Sequence, residues 1–129
     1  MKEKRYLLEP VVVSHVLYII NAALWLSEGY NLCAFFVLAS ALVSTAHHLT
    51  RESRLTILNR VFAWSALNAT VVFSITKLEI LHWLSLAACM SLGLSFKEEA
   101  NKQSCFDGYH TAWHMSVFAG QYILYSAVA

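Results

Sequence analysis

Charged residues are scarce in this 129-residue sequence: they make up 13% of it, whereas 58% of the residues are hydrophobic and the mean hydropathy is +0.53. A typical soluble domain carries about 25% charged residues and a smaller apolar share. The shortage of charge therefore excludes an ordinary soluble domain and predicts a membrane protein. No basic patch interleaved with aromatic residues is present, which argues against a nucleic-acid partner.

Cysteine is also sparse, and its three positions, Cys33, Cys89 and Cys105, form no CxxC pair. An odd number at such spacings favours small buried apolar residues over disulfides or metal ligands. The apolar run after the basic N-terminus has no small-residue cleavage pattern behind it, so it is interpreted as a retained span. At 129 residues the chain is long enough for one domain and too short for two ordinary ones, so we predict a single domain over residues 1–129.

Five apolar stretches divide the chain, each near the roughly 20 residues that a helix needs to cross a bilayer. They cover approximately residues 11–27, 29–49, 55–76, 78–96 and 109–128. The pattern predicts an all-α, polytopic transmembrane bundle of about five spans. Glu28-Gly29 marks the first turn, Lys77 alone separates the third and fourth spans, and the segment from Lys97 to Gly108 is predicted to be the longest loop, with a turn at its end.

The basic residues predict the orientation of the chain, because cytoplasmic loops are enriched in lysine and arginine. An N-terminus in the cytoplasm leaves only Lys77 outside. The cytoplasmic residues would then be Lys2, Lys4, Arg5, Arg51, Arg54, Arg60, Lys97 and Lys102. This eight-to-one ratio predicts a cytoplasmic N-terminus for a chain whose apolar stretches predict an integral, multi-pass membrane protein.

The same topology sorts the six histidines by membrane side. His82 enters the fourth span from the outer side and is predicted to be a bystander. The remaining five share the cytoplasmic side and can meet in one layer: His15, His47, His48, His110 and His114. Polar residues are costly inside a membrane, and such a layer therefore indicates a functional site.

His110 and His114 are four residues apart, so their imidazoles lie on one face of a helix. Ser44 and His48 show the same spacing in the second span, whereas His47 points roughly 100° away at the helical period. His48 is therefore the better partner for the last-span pair. Three neutral imidazoles and one open position are typical of a catalytic zinc site, and Ser44 could hydrogen-bond the zinc-bound water or a substrate carbonyl.

Two other interpretations fit these residues. Histidines and serines in membranes also hydrogen-bond between helices simply to hold a bundle together, for about 1 kcal/mol each. Alternatively, histidines from two helices could provide both axial ligands of a b-type haem. The polar side chains of Ser44 and of Asn59 in the third span would have no role beside a haem, so they favour zinc.

The segments Ser44-Thr45-Ala46-His47-His48 and His110-Thr111-Ala112-Trp113-His114 resemble the second-span and last-span motifs of the CREST superfamily of transmembrane hydrolases. That superfamily includes alkaline ceramidases, progestin and adipoQ receptors and myomaker-like proteins. The resemblance implies zinc bound by His48, His110 and His114, with Ser44 and the residue at position 59 beside it. It also implies a ceramidase-like hydrolase that acts on the amide or ester bond of a membrane lipid.

Two features depart from the CREST pattern. Asn59 stands where ceramidases have an aspartate, and an amide cannot take a proton from water, so Glu52 or Asp107 would have to replace the carboxylate. The family core has seven spans and this chain has about five, which leaves a bundle face that a homodimer could cover. These departures favour a non-catalytic alternative, in which a structural zinc supports a receptor or membrane-remodelling protein that binds lipid.

Overall fold

All regular elements in the described part of the chain are helices, and the all-α prediction is confirmed. The computed structural model describes residues 13–50, 52–102 and 106–129, with the side chains of 100–107 left aside. The elements are α1 (His15–Ser27), α2 (Asn31–Thr50), α3 (Ser53–Ser74), a 3-10 turn (Ile75–Lys77), α4 (Ile80–Lys102) and α5 (Phe106–Val128).

Three helical segments are long and apolar enough to cross a membrane: Asn31–Thr50, Ser53–Lys77 and Ile80–Glu99. Helix α1 is apolar but has only 13 residues. Large apolar side chains such as Ile57, Trp64 and Ile80 are mostly exposed on the protein surface. Such apolar surfaces are favourable in contact with lipid chains and unfavourable in contact with water. These helices are consistent with a membrane protein, and the count of five spans stays a prediction.

The turn predicted at Glu28-Gly29 is present and closes α1 with a Schellman motif. The Tyr30 N–H donates to the Trp25 carbonyl and the Gly29 N–H to the Leu26 carbonyl, each at 3.0 Å. Gly29 has a φ of 83°, in the left-handed region that glycine adopts without a steric penalty. The rings of Trp25 and Tyr30 meet edge to face, with centroids 5.5 Å apart. This motif reverses the chain so that α2 packs against α1.

The described chain divides into two compact units, Met1–Ala69 and Thr70–Ala129. In the first unit, the buried faces of α1 and α2 are rich in small side chains, including Ala22, Cys33, Ala34 and Ala41. Small residues allow two helix backbones to approach closely, as in membrane bundles. Cys33 is a free, buried thiol, in keeping with the packing role expected from the sequence. Cys105 lies outside the described residues.

The second unit is organised by the packing of α4 against α5. A Cβ atom added at Gly93 would lie 3.0 Å from the Trp113 ring and 3.1 Å from the Ser116 Cβ. A larger residue at position 93 would therefore require the Trp113 and Ser116 side chains to shift by a few tenths of an ångström, so glycine suits this close approach of α5 to α4. The Lys97 Nζ sits 5.3 Å from the centroid of the Trp113 ring, a cation–π contact at the polar end of the hairpin.

The predicted loop from Lys97 to Gly108 is wrong over most of its length. Helix α4 continues to Lys102 and α5 begins at Phe106. The segment Lys97-Glu98-Glu99-Ala100 consists of good helix formers, so the helix persists beyond the apolar stretch. The loss of apolar character marks where the hydrophobic segment ends, and the helix itself extends further.

Candidate metal centre

His110 and His114 converge on α5, as their four-residue spacing predicts. Their Nε2 atoms are 2.9 Å apart, and their rings meet nearly edge to face with centroids separated by 4.6 Å. Both side chains are part-buried. One imidazole donates and the other accepts in this contact, because a neutral ring carries one N–H and one lone pair. The pair thus presents two ring nitrogens at nearly the same point.

In the first unit, the start of α1 is joined to the end of α2 by a buried polar contact. The Ser44 Oγ lies 2.9 Å from the His15 Nε2. Only 6% of Ser44 and 2% of His15 remain exposed. The two residues lie nearly equal numbers of positions before and after the turn at Gly29, so an antiparallel helical hairpin places them at the same level.

His48 lies next to this contact, one turn beyond Ser44 on α2. The centroids of the His15 and His48 rings are 5.4 Å apart, and ring nitrogens of the two residues approach within 4.8 Å. The His47 ring centroid lies 5.6 Å from that of His48. Its Nδ1 is buried and has no hydrogen-bond partner among the described residues. The first unit therefore holds a cluster of three histidines and a serine.

Asn59 and Glu52 are not part of either cluster. Asn59 lies in α3, half-buried, and has no hydrogen bond to Ser44 or a histidine among the described residues. Glu52 is exposed just before α3, and the side chain of Asp107 lies outside the described residues. His82 accepts a hydrogen bond from the Glu79 N–H at 3.0 Å. That contact supports the N-terminal end of α4, so His82 has a local structural role.

Sequence reasoning placed His15 in the histidine layer but gave it no function. To pair His15 with Ser44, one must know which face of α1 packs against α2. The sequence pattern does not show this face, because α1 is apolar almost all around. The nearly equal separation of His15 and Ser44 from the turn at Gly29 could have predicted that the two residues lie side by side.

The imidazole nitrogens of the His110 and His114 pair are possible ligands of a metal ion. Two nitrogens bound to one tetrahedral zinc are about 3.3 Å apart, because each Zn–N bond is about 2.0–2.1 Å. The 2.9 Å between the Nε2 atoms of His110 and His114 is close to that separation. Imidazole is also a preferred ligand of zinc, copper and iron. Comparison with known proteins gives no significant match: no protein-family model, no curated protein and no solved structure matches the chain.

Proposed function

We propose that this protein is an integral membrane protein that binds one zinc ion through His48, His110 and His114, near the cytoplasmic face of the membrane. The observation that carries the proposal is the 2.9 Å approach of the His110 and His114 Nε2 atoms. Two imidazoles held this closely on a half-buried helix face need little rearrangement to bind one ion. A carboxylate-rich site would favour magnesium or calcium, whereas an imidazole site favours zinc.

We propose His48 as the third ligand, as the CREST resemblance implies. It follows Ser44 on the face of α2 that carries the histidine cluster. The distribution of lysine and arginine supports the assignment, because it predicts the same membrane side for His48 and for the α5 pair. Three helices long and apolar enough to span a bilayer support the membrane location.

The activity that we propose for the site is hydrolysis of a lipid amide or ester, which follows from the CREST resemblance. Bound zinc supplies a Lewis acid and lowers the pKa of a coordinated water. In this role the Ser44 hydroxyl would donate a hydrogen bond to the substrate carbonyl. Asn59 could orient water but could not accept its proton, so a further group would have to act as the base.

A second candidate function is a structural zinc site without catalysis. The contact between Ser44 Oγ and His15 Nε2 favours it, because this buried hydroxyl is already engaged by a protein side chain. Asn59 in place of a carboxylate points the same way. Here zinc would fix the histidine-bearing helices of a membrane receptor or remodelling protein, and lipid would be a ligand instead of a substrate.

Metal analysis of the detergent-purified chain tests the zinc site. We expect about one zinc per chain and a loss of zinc affinity of at least 10–100-fold in His48→Ala or His114→Ala, the size of loss that even supporting residues produce. His82→Ala is the matched control, since this histidine accepts a hydrogen bond from the backbone N–H of Glu79, just before α4. Zinc-free protein would refute the proposal, and iron with a Soret band would instead identify a b-type haem.

A panel of ceramides and phospholipids separates the two candidate functions. Turnover that disappears in His114→Ala but persists in His82→Ala would establish the hydrolase. Stoichiometric zinc without release of fatty acid from any lipid of the panel would select the structural site.

A further inference from the structure

We infer that one face of α3 binds the same face of a second copy of this chain, and that Asn68 joins the two copies by a hydrogen bond. This α3 face lies within the first compact unit and consists of Ile57, Val61, Trp64 and Asn68. The inference rests on the membrane location in the proposed function, and it does not depend on the zinc.

All four side chains of the α3 face are exposed. The apolar residues retain large accessible fractions: 69% for Ile57, 54% for Val61 and 65% for Trp64. At 3.6 residues per turn, the four positions fall within a stripe about 60° wide. Ala66, which is only 5% exposed, lies on the opposite side of the helix. The stripe is therefore a continuous surface that the described residues leave largely open.

Asn68 places an amide near the centre of this apolar span. It lies eight residues after Arg60 and nine before Lys77, within the segment Ser53–Lys77 that is long and apolar enough to cross a membrane. At about 1.5 Å per residue, it is roughly 12–14 Å along the axis from each of these charges. Its side chain makes no hydrogen bond among the described residues, and acyl chains offer none at that depth. The amide therefore needs a partner from another molecule.

A second copy of the chain supplies that partner with the right chemistry. A side-chain amide is both donor and acceptor, so two of them complement each other. Copies that insert into a membrane with the same orientation have parallel α3 helices, and a two-fold axis along the membrane normal brings each residue of the α3 face opposite itself. Asn68 of one copy then donates to Asn68 of the other.

The spacing along the α3 face fits two parallel helices. Its members follow one another at intervals of four, three and four residues, as the d, a, d and a positions of a heptad pattern do. Val61 and Asn68 take the a positions, and Ile57 and Trp64 take the d positions. A single asparagine at an a position fixes the register of a parallel pair. The same interaction joins helices in membranes, where polar side chains hydrogen-bond between them.

Energy transfer between donor-labelled and acceptor-labelled full-length chains in dioleoylphosphatidylcholine vesicles tests the pairing. A chelator is present so that metal ions cannot bridge the copies. We expect Asn68→Leu to weaken the association about 5–30-fold, the contribution of such polar contacts in model membrane peptides. Asn68→Gln should retain most of it, because the amide remains. In a large excess of detergent the copies separate, and Asn68→Leu should then unfold like the wild type.

Oxidative crosslinking in the membrane tests which face is shared. Trp64→Cys should form a disulfide-linked dimer beyond any that the wild type forms, because a d-position residue lies beside its own copy. Ala63→Cys is the matched control, since this exposed neighbour lies roughly 100° away around the helix. Equal crosslinking of the two variants would overturn the assignment of the α3 face.

The outcomes separate failure of this pairing from failure of the proposed location. Alkaline carbonate that releases the wild-type chain from membranes would refute the membrane location and the pairing with it. A chain that stays in the membrane but shows no energy transfer would overturn only the pairing. Association of Asn68→Leu as strong as that of the wild type would also overturn it.

Discussion

Asn21 carries a fully buried amide on α1, with 0% of the residue exposed. Neither its Nδ2 nor its Oδ1 has a hydrogen-bond partner among the described residues. A buried polar group without a partner costs about 1–3 kcal/mol, and a similarly shaped apolar side chain removes that cost. We therefore expect Asn21→Leu to raise the free energy of unfolding in detergent by about 1–3 kcal/mol.

Asn68→Leu is the control for this prediction. Asn68 is an exposed amide on α3, so its surroundings change little on unfolding and its replacement should alter the stability by less than about 0.5 kcal/mol. A loss of stability in Asn21→Leu would contradict the prediction and would show that the amide is held by a bound water or ligand.

At the scale of an element, Gly29 determines how α1 ends. No atom would lie within 4 Å of a Cβ added there, so space is not the constraint. The φ of 83° is the constraint, because a Cβ in the left-handed region clashes with the backbone of its own residue. We expect Gly29→Ala to lower the free energy of unfolding by about 1–2 kcal/mol, measured by thermal or denaturant unfolding in detergent.

Gly120→Ala is a matched substitution with the opposite expected sign. Gly120 is inside α5, and its added Cβ would make an ordinary 4.0 Å contact with Leu86. Alanine is favoured over glycine in a helix interior by about 0.5–1 kcal/mol, so this variant should be more stable than the wild type. Equal effects of the two substitutions would mean that the turn conformation is not what Gly29 provides.

For the whole molecule, the sequence predicted the all-α class and the approximate positions of the described helices, because apolar runs near the length of a bilayer have few alternatives. It did not predict that α4 reaches Lys102, since charged helix formers look like a loop when hydropathy alone is read. The convergence of His110 and His114 followed from their spacing, which any helix enforces. The contact between His15 and Ser44 did not, because it depends on how two nearly uniform apolar helices rotate against each other.

Removal of the metal tests the proposed site at the scale of the molecule. An ion that binds only the folded state stabilises it by RT ln(1 + [L]/Kd), about 2.7 kcal/mol when free zinc is 100 times Kd. We expect a strong chelator to lower the melting temperature of the wild type and zinc to restore it.

Two variants serve as controls for this measurement of melting temperature. His82→Ala should show the same chelator-dependent shift as the wild type, because its ring supports only the start of α4. His114→Ala should melt at the temperature of the chelated wild type and respond to neither chelator nor zinc. A melting temperature that is identical with and without chelator, in wild-type protein that had carried stoichiometric zinc, would show that the ion does not hold the fold together. The structural role would then fail, and hydrolysis at a three-histidine site would become the better explanation of the bound metal.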